Sequence, residues 1–121
     1  MKMITAVKKG FLFQSLVKLQ VSMGLPLETV ADALKIPTRT LSRRKLEGRL
    51  QPDESERVLR LSNLFDKAVA LFDGNRAAAT KWFRTPQRAL GECPPLEYAK
   101  TEIGAREVED LIGRLEHGVF T

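Results

Sequence analysis

The chain has 121 residues, of which 43% are apolar and 29% are charged, and its formal net charge is +5 at pH 7. Such a length fits one small domain or two minimal domains that share a core. No stretch approaches the ~20 apolar residues of a membrane span, the start of the chain does not resemble a secretory signal, and the single Cys93 cannot form an internal disulfide, so we predict a cytoplasmic protein without membrane contacts.

The positive charge is concentrated in the first half of the chain. Residues 1–60 contain 12 Lys/Arg and 6 Asp/Glu, whereas residues 61–121 contain 8 Lys/Arg and 9 Asp/Glu. The first half therefore carries a net charge of +6 and the second half a net charge of −1. This asymmetry predicts a polyanion as the partner of the first half and a different kind of partner for the second.

The first predicted helix begins near Lys8 and ends at Gly24. Residues 1–7 show no clear pattern and are predicted to form a loose tail. From Lys8 to Met23, apolar residues recur at spacings of three and four, which is the period of an amphipathic helix. We expect this helix to support the next two, because two short helices alone bury too little surface.

Two short helices are predicted next. Apolar residues from Leu27 to Leu34 form one stripe, Pro37 interrupts it, and a second helical run begins at Thr38 and ends at Gly48 in a left-handed cap. Two short helices joined by a tight turn form a helix-turn-helix.

Hydroxyl groups and cations cover the outer surface of the second of these helices. A recognition helix enters the major groove of DNA with its first turns, where arginine pairs well with guanine, and later cations contact phosphates. The alternative is a solvated basic face on an ordinary helical hairpin. The predicted DNA-contacting residues are Thr38, Arg39, Thr40, Ser42, Arg43, Arg44, Lys45 and Arg49.

A long amphipathic helix is predicted from Pro52 to about Phe72. Proline in the first turn and acidic residues near the positive end of the helix dipole are typical of a helix start. The apolar stripe of this helix is wider than the first half of the chain can cover. We therefore predict that this helix is the spine between the two halves and a candidate surface for self-association.

Three shorter helices complete the predicted all-α fold. Asn75 is placed to cap a helix over residues 76–83, Pro95 begins a short helix, and the final helix covers about residues 105–116. The residues after it place the aromatic side chain of Phe120 near the terminal carboxylate. The sequence leaves open whether Phe120 folds back onto the core or contacts a partner.

No catalytic or metal-binding site is evident in the sequence. His117 and Cys93 are the only residues of their type, no cluster has metal-ligand spacing, and the eight glycines form no phosphate loop. A Cys93 and His117 pair would lack the third group that activates a nucleophile. We therefore expect neither enzymatic activity nor a cofactor nor a bound metal.

Four segments from Pro52 onward carry a specific combination of residues. They are Pro52-Asp53-Glu54-Ser55 with Arg57 and Arg60, Trp82-Phe83-Arg84-Thr85-Pro86, Leu90-Gly91 with Pro95-Leu96-Glu97-Tyr98, and Thr101-Glu102-Ile103-Gly104-Ala105-Arg106-Glu107-Val108 running on to Gly118. In this order and spacing the chain resembles antitoxins that join an Xre-type helix-turn-helix to an Xre/MbcA/ParS toxin-binding domain. The resemblance covers nearly all of residues 10–121. The usual hydroxyl cap before Pro52 is replaced by Gln51.

The resemblance implies a homodimer that neutralises a RES-domain toxin, which consumes NAD or transfers ADP-ribose, and that binds its own operator to repress transcription. It also implies that the carboxy-terminal region blocks the active site of the toxin. We place an Xre-like helix-turn-helix domain at residues 1–50 and a toxin-binding and dimerisation domain, joined to it by the long helix, at residues 51–121. The predicted toxin-contacting residues are Glu109, Ile112, Glu116, His117, Gly118, Val119, Phe120 and Thr121.

Two other functions fit the same residues. One is a transcriptional repressor without a toxin, whose second half serves only dimerisation or binds a small effector. The other is an adaptor that uses its helices for protein contacts alone. A RES-type reading frame beside the gene would favour the antitoxin, and its absence would favour the repressor. The adaptor predicts no salt-dependent affinity for DNA.

Overall fold

In the computed structural model, the backbone is described for residues 2–118 and side chains are described from Thr5 onward. The regular secondary structure of this part is entirely helical, which confirms the predicted all-α class. None of the helices described is long and apolar enough to cross a membrane. The toxin contacts predicted at Val119, Phe120 and Thr121 lie outside the described residues.

Eight α-helices and one short 3-10 helix follow one another in the described chain. They are α1 Lys2–Lys9, α2 Phe13–Met23, α3 Leu27–Ala33, α4 Thr38–Glu47, α5 Pro52–Leu71, α6 Arg76–Arg84, the 3-10 helix Arg88–Leu90, α7 Pro95–Tyr98 and α8 Glu102–Glu116. The chain forms two compact units, which we call unit 1, up to Arg60, and unit 2, from Leu61 onward. Helix α5 therefore contributes residues to both units, and the domain boundary placed at residue 50 stays a prediction.

The start of the chain corrects the sequence-based prediction. Lys2–Lys9 form α1, where we expected a loose tail followed by a helix from Lys8. Gly10, at φ +85°, ends this helix, and a Cβ at this position would lie 2.1 Å from the carbonyl oxygen of Leu50. Helix α2 then begins only at Phe13, because Leu12 is extended and pairs with Arg49. A helix of little more than two turns is too short for its periodicity to be evident.

Unit 1 has a single apolar core. As predicted, α2 packs against α3, which in turn contacts α4. The turn between α3 and α4 contains Lys35 at φ +58°, a left-handed residue, and Ile36 donates its N–H to the Ala31 carbonyl at 2.9 Å. The core residues are Phe13, Leu16, Leu19, Met23, Leu25, Val30, Ala31, Ala33, Leu34, Ile36, Leu41, Leu50 and Val58.

Hydrogen bonds to two buried residues, Glu54 and Ser55, fix the start of α5 within unit 1. The Gln51 N–H donates to Glu54 Oε1 at 2.8 Å, which satisfies an amide that has no partner inside the helix. Ser55 Oγ donates to the Gln51 carbonyl at 2.9 Å and accepts from the Phe11 N–H at 2.8 Å. Further along α5, Arg57 Nε donates to the Leu34 carbonyl at 2.7 Å. The first turns of α5 are therefore bonded to several segments of unit 1.

Unit 2 packs α6 against α7 and α7 against α8. As predicted, Asn75 caps α6, since its Oδ1 accepts the Ala78 N–H at 3.0 Å. Helix α8 begins at Glu102, three residues earlier than predicted, because Thr101 Oγ1 accepts the Gly104 N–H at 2.9 Å and so caps the helix. The core residues are Leu61, Leu64, Phe65, Ala68, Ala79, Phe83, Leu90, Pro95, Leu96, Ala105, Val108, Leu111 and Ile112.

Candidate functional site

Helix α4 turns one side into the core of unit 1 and the opposite side to solvent. Leu41 is the buried residue of α4, and Gly48, at φ +76°, ends the helix with its N–H on the Arg44 carbonyl at 2.8 Å. The left-handed cap predicted at Gly48 is therefore confirmed. The predicted DNA contacts that are exposed on α4 are Thr38, Arg39, Ser42, Arg43 and Lys45. Thr40 is half-buried.

Arg44 differs from its neighbours because its guanidinium is bonded within unit 1. Its Nε donates to Glu54 Oε1 at 2.8 Å, and its Nη1 donates to Glu47 Oε1 at 3.1 Å. The Arg44 side chain is 12% exposed and that of Glu54 is 7% exposed. The hydrogen bond to Glu54 raises the pKa of Arg44, with a smaller contribution from Glu47. Arg44 thus fastens α4 to the start of α5, and its contact with DNA stays a prediction.

Arg49 also has a partner within unit 1. Its Nη1 donates to the Gly10 carbonyl at 2.6 Å, which joins the end of the helix-turn-helix to the end of α1. With Lys9, it borders a cavity of about 590 Å³ beside α1 and the start of α2. The residue as a whole is exposed.

Leu46 was not singled out in the sequence, although it lies on the outer face of α4. Its side chain is 90% exposed, the largest exposure among the exposed large apolar residues of the described chain. The signal was present in the spacing, because Leu46 follows Arg39 by seven residues and Arg43 by three, and such residues share one face of a helix.

The toxin contacts predicted on α8 gather around one groove of unit 2. This groove has a volume of about 620 Å³ and runs along the last two turns of α8. Its lining residues are Lys67, Glu109, Asp110, Ile112, Gly113, Arg114, Glu116 and His117. Four of the five predicted toxin contacts that lie in the described chain are among them, and the fifth, Gly118, follows directly at φ +74°.

Charged side chains make up most of the lining of the groove. Lys67 Nζ of α5 and Glu109 Oε2 of α8 form an ion pair at 3.0 Å, and both side chains are about half exposed. Ile112 is only 1% exposed, so it belongs to the core and can offer a partner little surface. The Nε atom of Arg114 is buried without a hydrogen-bond partner among the described residues. Glu116 and His117 are exposed at the end of the groove.

Another pair in unit 2, Tyr98 and Glu107, does not line the groove. The Tyr98 hydroxyl donates to Glu107 Oε2. This hydrogen bond to a carboxylate raises the pKa of Tyr98 above its ordinary value of 10.0, since ionisation of the phenol would place two negative charges together. The pair connects α7 to the exposed side of α8.

Comparison with known protein families gives two matches along the chain. Residues 2–63 match the antitoxin Xre-like helix-turn-helix domain. Residues 67–118 match the antitoxin Xre/MbcA/ParS C-terminal toxin-binding domain. The first match contains α1 to α4 and the first part of α5, and the second contains the groove and all of α6 to α8.

Several antitoxins from other bacteria are similar over most of the chain. Antitoxin Xre of Yersinia enterocolitica (serotype O:8 / biotype 1B) is 41% identical over 120 residues, which are 98% of this chain and 81% of the relative. Antitoxin Xre of Photorhabdus laumondii is 42% identical over 87 residues, 71% of this chain and 59% of the relative. The Prs ADP-ribosylating antitoxin of Sphingobium sp. (strain YBL2) is 26% identical over 97% of this chain and 79% of the relative.

Proposed function

Because the chain belongs to the Xre family of antitoxins, which combine a helix-turn-helix with a toxin-binding domain, we propose that it neutralises a RES-domain toxin and represses transcription by binding operator DNA. The first activity is assigned to unit 2 and the second to unit 1. The observation that carries the proposal is the groove of unit 2, because predicted toxin contacts that are scattered along α8 line one surface.

The groove has the chemical character of a protein-binding surface. Charged side chains of both signs around a groove set the orientation of a protein partner and the specificity of its binding. Arg114 adds a cation to the lining of the groove. We assign Glu109, Glu116, His117 and Gly118 to the rim of this interface, with Lys67 and Arg114 added from the geometry.

Inhibition is proposed to be steric. Residues 119–121 follow the groove in the chain, and their apolar Val119 and Phe120 suit a toxin pocket that otherwise binds a dinucleotide. This part of the proposal is supported by the family resemblance. The toxin is proposed to consume NAD, and the name of the Sphingobium relative, Prs ADP-ribosylating antitoxin, supports testing ADP-ribosyl transfer as well as NAD hydrolysis.

The DNA-binding role is supported by the exposed residues of α4. Arg39, Arg43 and Lys45 place positive charge on the outer side of the second helix of the helix-turn-helix. We propose that these residues, with Thr38 and Ser42, contact the operator. Arg44 orients α4 through its hydrogen bond to Glu54, on the side of the helix that faces away from the DNA. A homodimer is proposed because a two-fold symmetric protein presents two such helices to a palindromic operator.

Co-expression with the product of the adjacent gene tests the antitoxin role. We expect a stable complex that preserves cellular NAD, and we expect a variant lacking residues 117–121 to fold and bind DNA but not to protect cells. Full protection by the truncated protein would refute steric inhibition by this segment. If the neighbouring product forms no complex and is harmless alone, the chain is a repressor without a toxin.

A pair of matched double variants tests the groove itself. Lys67→Ala with Glu109→Ala removes the ion pair at the groove and is expected to weaken toxin binding at least tenfold. Glu102→Ala with Arg106→Ala removes an exposed ion pair near the start of the same helix, outside the groove, and should leave binding unchanged. Since exposed ion pairs contribute only about 0–1 kcal/mol to stability, both variants should remain folded. Equal binding by the two would place the toxin elsewhere.

A further inference from the structure

Leu46 lies in the last turn of α4, on the side of the helix that faces solvent. The buried side of the helix is set by Leu41 and by Arg44, which is bonded to Glu54. At 3.6 residues per turn, the direction opposite these two residues is that of Arg39 and Leu46, which are seven positions apart. Ser42 and Arg43 lie on either side of that line, and all four residues are turned outward.

The exposed Leu46 and the charged residues beside it together restrict the kind of partner that this face can bind. The leucine side chain leaves nearly all of its apolar surface in water, and burying it in a contact would be favourable. The outward residues on the same side are the cations Arg39 and Arg43 and the hydroxyl of Ser42, while the carboxylate of the adjacent Glu47 is paired with Arg44. Cations and hydroxyls bind phosphates and base edges and would lose their hydration against an apolar protein surface. The partner must therefore offer negative charge and an apolar group at close range.

The major groove of DNA meets both requirements. Phosphates border it on each side, and thymine is the base that projects a methyl group into it. Resting on the DNA-binding role proposed above, we propose that α4 lies along the major groove as far as its last turn, so that Leu46 contacts thymine methyl groups in the operator and contributes to sequence specificity. The cations of the same face hold the helix in the groove, whereas Leu46 distinguishes thymine from bases that lack the methyl group.

Uracil substitution tests this contact without altering a hydrogen-bonding group or a charge. The region upstream of the gene is amplified with either thymidine or deoxyuridine triphosphate, and binding of the full chain to each fragment is measured by fluorescence anisotropy. We expect the wild-type protein to bind uracil DNA more weakly, by about fourfold for each methyl group contacted. Leu46→Ala should bind thymine DNA more weakly than wild type and should discriminate little between the two fragments.

Arg43→Ala provides the matched control on the same face. It should weaken binding to both fragments by the same factor, because it removes a cation and leaves Leu46 in place. If wild type binds thymine and uracil DNA equally, or if Leu46→Ala retains the full preference for thymine, the inference about Leu46 is overturned while the operator proposal stands. Failure of the wild-type chain to bind either fragment overturns both.

The same variants distinguish DNA from a second copy of the chain as the partner of Leu46. Light scattering of wild type and Leu46→Ala should give the same molar mass in the absence of DNA. A lower mass for Leu46→Ala would assign this side chain to an interface between copies and would overturn the proposal. Because Leu46 is 90% exposed, its replacement should leave the folded unit intact.

Discussion

Arg43 and Arg44 are adjacent arginines of α4, and we expect their replacement by alanine to have different consequences. Arg43 is exposed on the outer face, whereas Arg44 is 12% exposed and donates to Glu54 at 2.8 Å. Arg44→Ala should therefore lower the free energy of unfolding of the protein. Arg43→Ala should weaken DNA binding and leave the free energy of unfolding nearly unchanged.

The destabilisation by Arg44→Ala follows from the carboxylate that remains. The side chain of Glu54 is 7% exposed, and the hydrogen bond that it would keep is the one from the Gln51 N–H. Removing one partner of a fully buried ion pair costs about 3–5 kcal/mol, and the residual exposure and hydrogen bond reduce this to about 2–3 kcal/mol. In a chain of 121 residues this lowers the melting temperature by roughly 8–12 °C.

Circular dichroism during thermal and urea unfolding measures the loss of stability in Arg44→Ala. Fluorescence anisotropy with upstream DNA measures the loss of affinity in Arg43→Ala. Arg43→Ala is expected to weaken DNA binding by about tenfold, as for one lost arginine contact. Combining Arg44→Ala with Glu54→Gln should recover part of the stability, since the orphaned charge is removed. If Arg44→Ala is as stable as wild type and loses as much DNA affinity as Arg43→Ala, the bracing role of Arg44 is wrong.

Two further predictions concern unit 2. Gly104→Ala should destabilise the protein by about 2–3 kcal/mol in urea unfolding, because the added Cβ would lie 1.9 Å from the Tyr98 carbonyl oxygen. Gly113→Ala is the control: a Cβ there would have no atom within 4 Å, so this variant should stabilise α8 by about 0.5–1 kcal/mol. Equal effects of the two variants would contradict the close approach at Gly104. Ultraviolet titration of Tyr98, the single tyrosine, should show a pKa above 10.0 that falls in Glu107→Ala. The stabilising effect of this pair is complete below pH 10.0 and is lost as the pH rises through the higher pKa of the folded state, so an unchanged titration in Glu107→Ala would refute the hydrogen bond.

The parts of the fold that the sequence predicted well are those fixed by local patterns. The stripe from Leu27 to Leu34, the break at Pro37 and the stop at Gly48 each depend on neighbouring residues, and the helix-turn-helix was predicted within a residue or two. Helix α1 was missed because two turns give too few repeats, and because the break at Gly10 depends on the distant Leu50. A contact across forty residues leaves no periodic signal.

In the groove of unit 2 and on α4, the sequence likewise predicted what lies on one helix and missed what depends on tertiary packing. Residues from Glu109 to His117 could be assigned to one region because they lie on one helix. Lys67 could not, since it reaches the groove from α5 and its pairing with Glu109 depends on tertiary packing. The sequence also could not show which of the adjacent Arg43 and Arg44 faces the interior of unit 1, because this depends on the position of Glu54.

The segment Pro52-Asp53-Glu54-Ser55, on which part of the family resemblance rests, is a structural element of unit 1. Glu54 Oε1 accepts from both Arg44 and the Gln51 amide, so one carboxylate starts α5 and orients α4. Ser55 adds a hydrogen bond from Phe11, which holds the chain before α2. A substitution at Glu54 therefore alters the folding of unit 1, whereas a substitution at an outward position of α4 alters only what the helix contacts. If α4 contacts the operator as proposed, operator preference can change at the outer face without any change in the residues that carry the family resemblance.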